Sequence, residues 1–293
     1  MVRNDTIYSK MFDVANVIFL ILFAVITTLP FLFILAGSFA TQAEITQRGF
    51  FLIPQNPSIA AYQHIIQSRL LPRALWVSVL VTVVGTAVSM FLTVTFAYPL
   101  SKKYLPGRNA MLSLVVFIML FNGGMIPTFL TVRALGLLNN FWSMILPGAI
   151  SVWNLIVLKN FFQSIPQEIE DAARIDGASD IGVFIRIVLP LSLPAIATFS
   201  LFYAVSYWNG FRAALLYMPG NSNMWPIQLV LRNIVLMAGG QIQDVVVDPD
   251  AIQPPLDSIR NAVIIFSTVP ILLVYPFIQK YFTKGMMVGG LKG

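Results

Sequence analysis

The chain has 293 residues, of which 57% are hydrophobic and 10% are charged, and its mean hydropathy of +0.80 is typical of an integral membrane protein. It contains no cysteine, which excludes disulfides, thiolate metal sites and a cysteine nucleophile. The net charge of +6 does not point to a nucleic-acid partner, because in a membrane protein the positions of Lys and Arg matter more than their sum.

Apolar segments long enough to cross a bilayer recur six times. A helix rises about 1.5 Å per residue, so about 20 apolar residues cross a hydrocarbon core of about 30 Å. The first segment has neither the short core nor the small-residue cleavage site of a signal peptide, so we interpret it as an uncleaved span. The sequence therefore predicts an all-α integral membrane protein with six transmembrane helices, at about 12–40, 74–98, 109–131, 141–162, 191–217 and 260–279.

Two features stand out in the first half of the chain. The third predicted span contains Asn122-Gly123-Gly124, a break that a membrane tolerates only where neighbouring helices or a cavity satisfy the freed backbone groups. The segment 41–73 is mixed in composition and is expected to be a loop. Its His64, the single histidine, has no second histidine or carboxylate pair nearby, which favours a surface role over metal binding.

The distribution of Lys and Arg predicts the orientation of the spans. Eleven basic residues fall on one alternating set of segments and six on the other, so the first set is expected to be cytoplasmic. This orientation makes 1–11 a cytoplasmic N-terminus, 12–279 the transmembrane domain and 280–293 a cytoplasmic tail. The loop 164–190 is then cytoplasmic, and the loop 218–258 is periplasmic.

The most polar stretch, residues 164–194, lies between the fourth and fifth spans and holds five of the twelve carboxylates. Ser164 and Gln167 have the spacing of a capping box, and Pro166 falls in the first turn. This pattern predicts that a helix starts at Ser164.

A second helix is expected to follow at once. Gly177 can take the left-handed conformation that closes a helix, so the first helix should end just before it. Ser179 or Asp180 then caps a second short helix, which Pro190 and Pro194 interrupt. The product is a helical hairpin outside the bilayer, with one face apolar enough to dock into another protein.

The spacing within this stretch is Asp171-Ala172-Ala173, three residues, Gly177, nine residues, then Ile187-Val188-Leu189-Pro190. It resembles the cytoplasmic signature of bacterial ABC importer permeases, in which Glu stands where this chain has Asp171. The resemblance implies a six-helix permease whose coupling helix sits in a groove of the ATPase subunit. The residues that it assigns to ATPase coupling are Glu168, Asp171, Ala172, Ala173, Asp176, Gly177, Ile187, Leu189 and Pro190.

Three further segments make the resemblance more specific. They are the Gly-rich tail QKYFTKGMMVGGLKG and the segments FNGGMIPTFL and ILPGAISVWNLIVLKNFFQSIP. They are similar to carbohydrate importers of the maltose type, and most to the complex-oligosaccharide and alginate subgroup, in particular its smaller permease subunit. The resemblance implies a second homologous permease, an ABC ATPase dimer, an extracytoplasmic solute-binding protein and a saccharide as partners, in a bacterial inner membrane. Whether the saccharide is acidic stays open.

The sequence does not predict an enzyme. It lacks the G-x-x-x-x-G-K-[ST] phosphate loop, so ATP and Mg are expected to bind to the partner subunits, and no cofactor is expected in this chain. The carboxylates of the polar stretch are expected on an exposed helix without a pocket, which argues against acid–base catalysis.

The fifth span carries candidate substrate contacts. Arg212 is a charge at membrane depth, which favours a functional site. On a continuous helix, Tyr203 and Tyr207 lie one turn apart, and Asn209 and Arg212 share an adjoining face. Aromatic rings can stack on sugars, and Asn and Arg can bind hydroxyls or carboxylates. The alternative is that Arg212 snorkels and the tyrosines only pack. Weaker candidates on the fourth span are Trp153 and Asn154.

The loop 218–258 is expected to contain a short helix at the membrane interface, at about 226–238, followed by an exposed loop. Contact with the solute-binding protein is the functional hypothesis for this loop, and a structural cap is the alternative. For the whole chain the alternatives are a secondary transporter or channel without an ATPase, and an ABC permease for a non-sugar solute. The small number of acidic residues within the spans argues against ion coupling.

Overall fold

The computed structural model describes residues 7–121, 123–238 and 257–289. The described residues are mainly helical, and their β structure is limited to an isolated bridge between Ala40 and Pro57. The α-helices, in chain order, are α1 (Ile7–Ser38), α2 (Gln42–Arg48), α3 (Ala60–Gln67), α4 (Leu70–Ser101), α5 (Arg108–Leu120), α6 (Met125–Ala134), α7 (Val152–Gln163), α8 (Gln167–Ile175), α9 (Asp180–Val183), α10 (Leu189–Leu191), α11 (Leu193–Asn209), α12 (Arg212–Tyr217), α13 (Ile227–Ala238) and α14 (Asp257–Gly289).

The predicted count of six spans agrees with the structure. Three helices are long and apolar enough to cross a membrane, namely Ile7–Ser38, Leu70–Ser101 and the Asp257–Val274 part of α14. Three bent pairs of helices supply the others if each pair crosses once. They are Arg108–Leu120 with Met125–Ala134 (115°), Phe141–Gly148 with Val152–Gln163 (55°), and Asp180–Leu191 with Leu193–Asn209 (78°).

The predicted break in the third span is confirmed. The helix α5 ends before Phe121, and α6 starts after Gly124, whose φ of +90° is a conformation that favours glycine. The fourth span is not the continuous helix that was predicted over 141–162. It begins as two short 3₁₀ turns around Pro147, and the α-helix starts only after Ser151, whose side chain caps it.

The chain divides into two compact units, one formed by Met1–Arg69 with Leu231–Val269 and the other by Leu70–Val230 with Pro270–Gly293. In the first unit, α1 exposes apolar side chains along most of its length, as expected of a helix that faces lipid or another subunit. Its C-terminal residues, among them Ala36, pack with Ala40 and Phe51.

The segment 41–73 is more ordered than predicted, since it contains α2 and α3. The buried carboxylate of Glu44 organises it by accepting hydrogen bonds from the backbone N–H groups of Gln55 (2.8 Å) and Asn56 (3.0 Å) and from Arg48 (2.6 Å). These two N–H groups, and then Arg48, hold the pKa of Glu44 below its usual value. The loop after α2 is therefore tied back onto that helix.

In the second unit, α4 packs against α7 and α11 around an apolar cluster. Small and hydroxyl residues on α4 allow the close approach, as in many membrane helix pairs. Gly85 shows this most clearly, because a Cβ built at this position would lie 2.8 Å from the ring of Tyr207 on α11. The α4–α11 spacing therefore depends on a glycine at position 85.

The helix predicted at about 226–238 is present as α13 (Ile227–Ala238), and its first turn is buried. Ile227 and Leu229 are buried, and the backbone N–H of Ile227 donates to Ser78 Oγ (2.8 Å). The first turn of α13 therefore packs inside the second unit, and the position of the helix at a membrane interface stays a prediction. The predicted exposed loop falls largely on 239–256, which lie outside the described residues.

The last helix runs past the predicted end of the sixth span at 279, because α14 continues to Gly289. Part of the predicted cytoplasmic tail is therefore helical. The final residues of that tail, 290–293, lie outside the described residues.

Candidate functional site

The hairpin formed by α8 and α9 begins three residues later than predicted. Ser164 belongs to the end of α7, because its hydroxyl donates to the Phe161 carbonyl (2.7 Å) and its N–H donates to the Asn160 carbonyl (3.1 Å). Pro166 occupies the N-cap position of α8 without a side-chain hydrogen bond. The capping-box prediction is wrong because α7 extends to Gln163 and uses Ser164 as its own C-cap.

The turn between the two helices has the predicted form. Gly177 has φ +85°, its N–H donates to the Arg174 carbonyl (3.0 Å), and the N–H of Ala178 donates to the Ala173 carbonyl (2.9 Å). This is the hydrogen-bond pattern of a Schellman motif. Ser179 then caps α9 through its hydroxyl, as predicted. The hairpin therefore has a defined geometry set by local signals.

The outer surface of the hairpin combines acidic and apolar side chains. Ile175 and Ile181 are 86% and 71% exposed, which is unusual for large apolar residues and marks a contact surface. The exposed members of the predicted coupling set are Glu168, Asp171, Ala172, Asp176, Gly177 and Pro190. The others face inward to differing degrees, since Ala173 and Leu189 pack against the apolar core and Ile187 is half-buried.

The polar side of the hairpin is tied to the basic turn that follows α4. The ammonium of Lys102 binds the carboxylate of Glu170, which is 2% exposed. Arg174 donates hydrogen bonds to three groups, which are Asp171 (2.9 Å), Asp180 (3.1 Å) and the hydroxyl of Tyr104 (3.1 Å). Sequence analysis missed Lys102 and Glu170. The available signal was a basic and an acidic segment predicted on the same side of the membrane.

A π-helical turn at Phe184–Val188 leads from α9 to α10. Pro190 follows it, and in an α-helix the proline ring would meet the carbonyl four residues earlier, so the wider turn accommodates it. The chain then bends by 78° at Ser192, which lies between Pro190 and Pro194. The predicted interruption by these two prolines is confirmed.

A cavity of about 480 Å³ lies in the second unit. Three of the six predicted substrate-pathway residues, Asn154, Tyr203 and Tyr207, line it. The other lining residues are Val81, Met144, Gly148, Ser151, Phe202, Ser206, Gly210, Ala213, Ala214 and Pro226. The wall of this cavity is therefore a mixture of apolar groups, hydroxyls and one amide, and none of these side chains is charged.

Hydrogen bonds fix both tyrosines at the cavity wall. The hydroxyl of Tyr203 lies 2.7 Å from Thr93 Oγ1 and accepts the backbone N–H of Ser151 (2.9 Å). The hydroxyl of Tyr207 lies 2.8 Å from Ser89 Oγ. Since Ser89 and Thr93 are on α4, this helix sets the positions of both rings.

The other three predicted pathway residues do not line the cavity. The helix α11 ends at Asn209, Gly210 is extended, and α12 starts at Arg212, so the predicted helical face shared by Asn209 and Arg212 is wrong. Both residues are exposed, and Trp153 is 61% exposed. Sequence analysis missed Ser151 and Ser206, because small hydroxyl residues in an apolar segment give no distinctive signal.

Comparison with known proteins identifies the family. The family described as "Binding-protein-dependent transport system inner membrane component" matches residues 5–288. The chain belongs to this family. The permease is 51% identical to Protein LplC of Bacillus subtilis, over 99% of this chain and 98% of the relative. It is 52% identical to the polygalacturonan/rhamnogalacturonan transport system permease protein YtcP of the same organism, over 97% of this chain and 99% of the relative.

A solved structure agrees with this assignment. The permease superposes with a TM-score of 0.85 and 32% identity on a chain of a bacterial ABC transporter involved in the import of the acidic polysaccharide alginate. The match covers 94% of this chain and 98% of that one. The predicted importer-permease fold is therefore confirmed.

Membership of this family fixes the general role of the chain. It is a membrane-spanning translocation subunit and not an enzyme, and ATP hydrolysis belongs to a separate ATPase. It works with a second permease, the ATPase and a solute-binding protein. The family assignment decides against a secondary transporter or channel that works without an ATPase.

Proposed function

We propose that the permease moves an oligosaccharide or polysaccharide from its solute-binding protein into the cytoplasm, with the α8–α9 hairpin as the element that couples it to the ATPase. The observation that carries this proposal is the exposed surface around Ile175 and Ile181 on a hairpin of defined geometry. Exposed isoleucines beside carboxylates suit a groove in a partner protein better than they suit water or lipid.

The predicted coupling residues divide into two roles on this hairpin. The exposed residues Glu168, Asp171 and Asp176 are proposed to contact the ATPase together with the isoleucines, and Ala172 leaves room for close approach. Gly177 fixes the turn. Ala173, Ile187 and Leu189 are proposed to hold the hairpin against the permease, since the first and third of them pack on its core. Pro190, which is exposed, is proposed to shape the chain after the π-helical turn.

The cavity supports a saccharide as the substrate. Aromatic rings and fixed hydroxyls are groups that bind sugars, and Tyr203, Tyr207, Ser151 and Asn154 place such groups at one wall. Because this wall is uncharged in the present chain, it suits sugar hydroxyls and ring faces. Any carboxylate on the substrate would need a partner elsewhere.

We extend the proposal to an acidic saccharide, because YtcP is a polygalacturonan/rhamnogalacturonan permease and the similar structure belongs to an importer of the acidic polysaccharide alginate. Arg212 and Asn209, exposed at the junction of α11 and α12, are the proposed contacts for carboxylates. Trp153 stays a weaker prediction. The second permease is the other proposed source of cationic groups.

The distribution of Lys and Arg supports a specific orientation. We propose that 1–11 and 280–293 are cytoplasmic, that 12–279 form the transmembrane domain, and that the coupling loop 164–190 is cytoplasmic. The loop 218–258 is then periplasmic and is proposed to contact the solute-binding protein.

The mechanism follows from these placements. The partner ATPase subunits bind ATP and Mg and close, and the docked hairpin moves with them. The permease then alternates between inward-facing and outward-facing states, and the binding protein releases the saccharide into the cavity. This chain contributes the hairpin that docks into the ATPase and the cavity wall that contacts the substrate. It makes and breaks no covalent bond.

The proposal is tested by the ATPase activity of the purified importer in the presence of binding protein loaded with neutral or uronate-containing oligosaccharides. We expect stimulation by at least one saccharide, and strongest stimulation by the uronates. Stimulation by neutral glucans alone would remove the acidic substrate. If no saccharide stimulates an ATPase that is otherwise active, the proposal that the substrate is a saccharide is contradicted.

A further inference from the structure

Glu170 differs from the other carboxylates of the hairpin because it is buried. Its side chain is 3% exposed, whereas Glu168 and Asp171 are open to solvent. Both of its oxygens accept hydrogen bonds from the ammonium of Lys102, whose side chain is 13% exposed. A buried carboxylate facing the permease is unavailable to the ATPase, so its partner within the chain must explain its position.

Lys102 follows the last residue of α4 and is itself held from several sides. Its ammonium lies 4.4 Å from the centre of the Tyr98 ring, one turn back along α4. That ring stacks on Phe184 of the π turn (4.5 Å) and meets Phe162 of α7 edge-on (6.1 Å). The C-terminal end of α4 therefore contacts α8, the π-helical turn and α7.

A second contact closes this arrangement. The side-chain amide of Gln163, at the end of α7, donates to the carbonyl of Ser101, the last residue of α4 (3.2 Å). Arg174 of α8 also reaches the Glu170 carboxylate (3.8 Å) and the Tyr104 hydroxyl (3.1 Å). The cations that contact the Glu170 carboxylate are thus Lys102 and Arg174, and Arg174 is shared with Asp171 and Asp180.

The same helix reaches the cavity wall farther back along its length, about two to three turns before its C-terminal end. Thr93 and Ser89 of α4 pair with the hydroxyls of Tyr203 and Tyr207. Thr93 is nine residues before Lys102, about 14 Å along an α-helix. The helix α4, which has Pro99 in its last turn, therefore connects the hairpin contact to the tyrosines at the cavity wall.

We propose that the Lys102–Glu170 ion pair is the joint through which movement of the hairpin is passed to α4 and so to the cavity. Both residues are positioning residues, because neither contacts substrate or nucleotide. A buried ion pair is suited to this role because separating its charges costs free energy. Movement of the hairpin and α4 together keeps the charges in contact and avoids this cost. The inference rests on the proposed function of the hairpin as the coupling element.

The absence of cysteine from the chain allows a direct test. Lys102 and Glu170 are both replaced by cysteine, and the complete importer with its partner permease, ATPase and binding protein is assembled in proteoliposomes. A reducible bis-methanethiosulfonate linker then joins the two positions. The readout is the amount of substrate taken up per ATP hydrolysed, measured on the same vesicles before linking, after linking and after reduction.

Before linking, we expect the importer with both cysteines to hydrolyse ATP within about threefold of the parent rate. Its uptake of substrate per ATP should fall at least tenfold. Linking should restore most of the uptake per ATP, and reduction should abolish it again. A merely structural pair would lower the yield and thermal stability of the complex without a reversible change in this ratio. Equal ratios in the linked and unlinked states, whether high or low, would overturn the proposal.

Two controls separate this inference from the function on which it rests. Lys103→Met, at the exposed neighbour of Lys102, should leave uptake per ATP unchanged, whereas Lys102→Met should lower it. A single cysteine at Asp171 should cross-link to the ATPase. If Asp171→Cys cross-links to the ATPase and the linker experiment shows no change, only the role of the Lys102–Glu170 pair is contradicted. If Asp171→Cys does not cross-link, the proposed binding of the hairpin to the ATPase is contradicted.

Discussion

At the scale of single residues, Gly85 sets the distance between α4 and α11. A methyl group at this position would lie 2.8 Å from the Tyr207 ring, whose hydroxyl is held by Ser89. The ring cannot swing away without losing that hydrogen bond. The contact therefore joins helix packing to the position of a cavity residue.

Gly85→Ala should destabilise the permease by about 1–3 kcal/mol, the usual cost of overpacking a well-packed interior. The measurement is the midpoint of thermal unfolding in detergent. Gly148→Ala is the matched control, because a Cβ at position 148 meets nothing within 4 Å. An equal midpoint for the two variants would contradict the packing argument.

Glu44 predicts a pH dependence in the segment after α1. Backbone N–H groups of Gln55 and Asn56, and then Arg48, bind its carboxylate and lower its pKa below the usual value of 4.5. A lowered pKa in the folded state means that this stabilisation is fully present above about pH 4.5. It is lost as the pH falls through the lower folded value.

Acidification should therefore lower the protection of the Gln55 and Asn56 amides, measured against the intrinsic exchange rate at each pH, and the change should be centred below pH 4.5. In Glu44→Gln the same amides should be less protected at neutral pH, and their protection should change little on acidification. Hydrogen exchange followed by mass spectrometry of the peptide that contains both residues measures this. An unchanged pH response in the variant would show that another group controls the loop.

At the scale of elements, the hairpin depends on the left-handed residue that ends α8. Gly177 has φ +85°, and a Cβ there meets nothing within 4 Å. Substitutions at this position therefore act through backbone strain alone. Asn tolerates this conformation, whereas β-branched residues do not.

Gly177→Val should lower coupled transport several-fold, because strain of about 1–2 kcal/mol loosens the turn that orients the exposed surface. Gly177→Asn should stay within about twofold of the parent. Uptake of labelled saccharide per ATP in proteoliposomes is the measurement. If the two variants are equal, the left-handed turn does not control coupling.

The hairpin was largely predictable because its signals are local. A glycine in the left-handed region and Ser179 as an N-cap act within one turn of chain, and both predictions are confirmed. Ser164 was assigned wrongly for a physical reason. The pattern of a capping box is the same whether the serine opens one helix or closes the previous one, and only the length of α7 decides.

The cavity was only partly predictable. Tyr203 and Tyr207 were found because helical spacing holds within α11. Beyond Asn209 the helix ends, so the same spacing argument failed for Arg212. The contribution of Ser151 depends on how α7 packs against α4 and α11, and no pattern within one segment encodes that packing.

At the scale of the whole molecule, apolar length predicted the number of spans but not their shape. Three of the six predicted crossings correspond to bent pairs of helices, which are broken near glycine or proline. Glu170 and Lys102 lie 68 positions apart in sequence, so their pairing could not be predicted from spacing either. The ion pair depends on a contact between distant segments, and it is the proposed link between the hairpin and the cavity.

The central claim is that the exposed surface of the hairpin binds the ATPase in the cytoplasm. Ile175, the most exposed of its large apolar side chains, is the position to test. In one sample, Ile175→Cys is labelled with a membrane-impermeant maleimide in intact cells and in inverted vesicles, both without the ATPase. In a separate sample, the unlabelled thiol is cross-linked in the assembled importer. We expect labelling only in inverted vesicles and a cross-link to the ATPase. Labelling in intact cells, or no cross-link to the ATPase, would contradict the account.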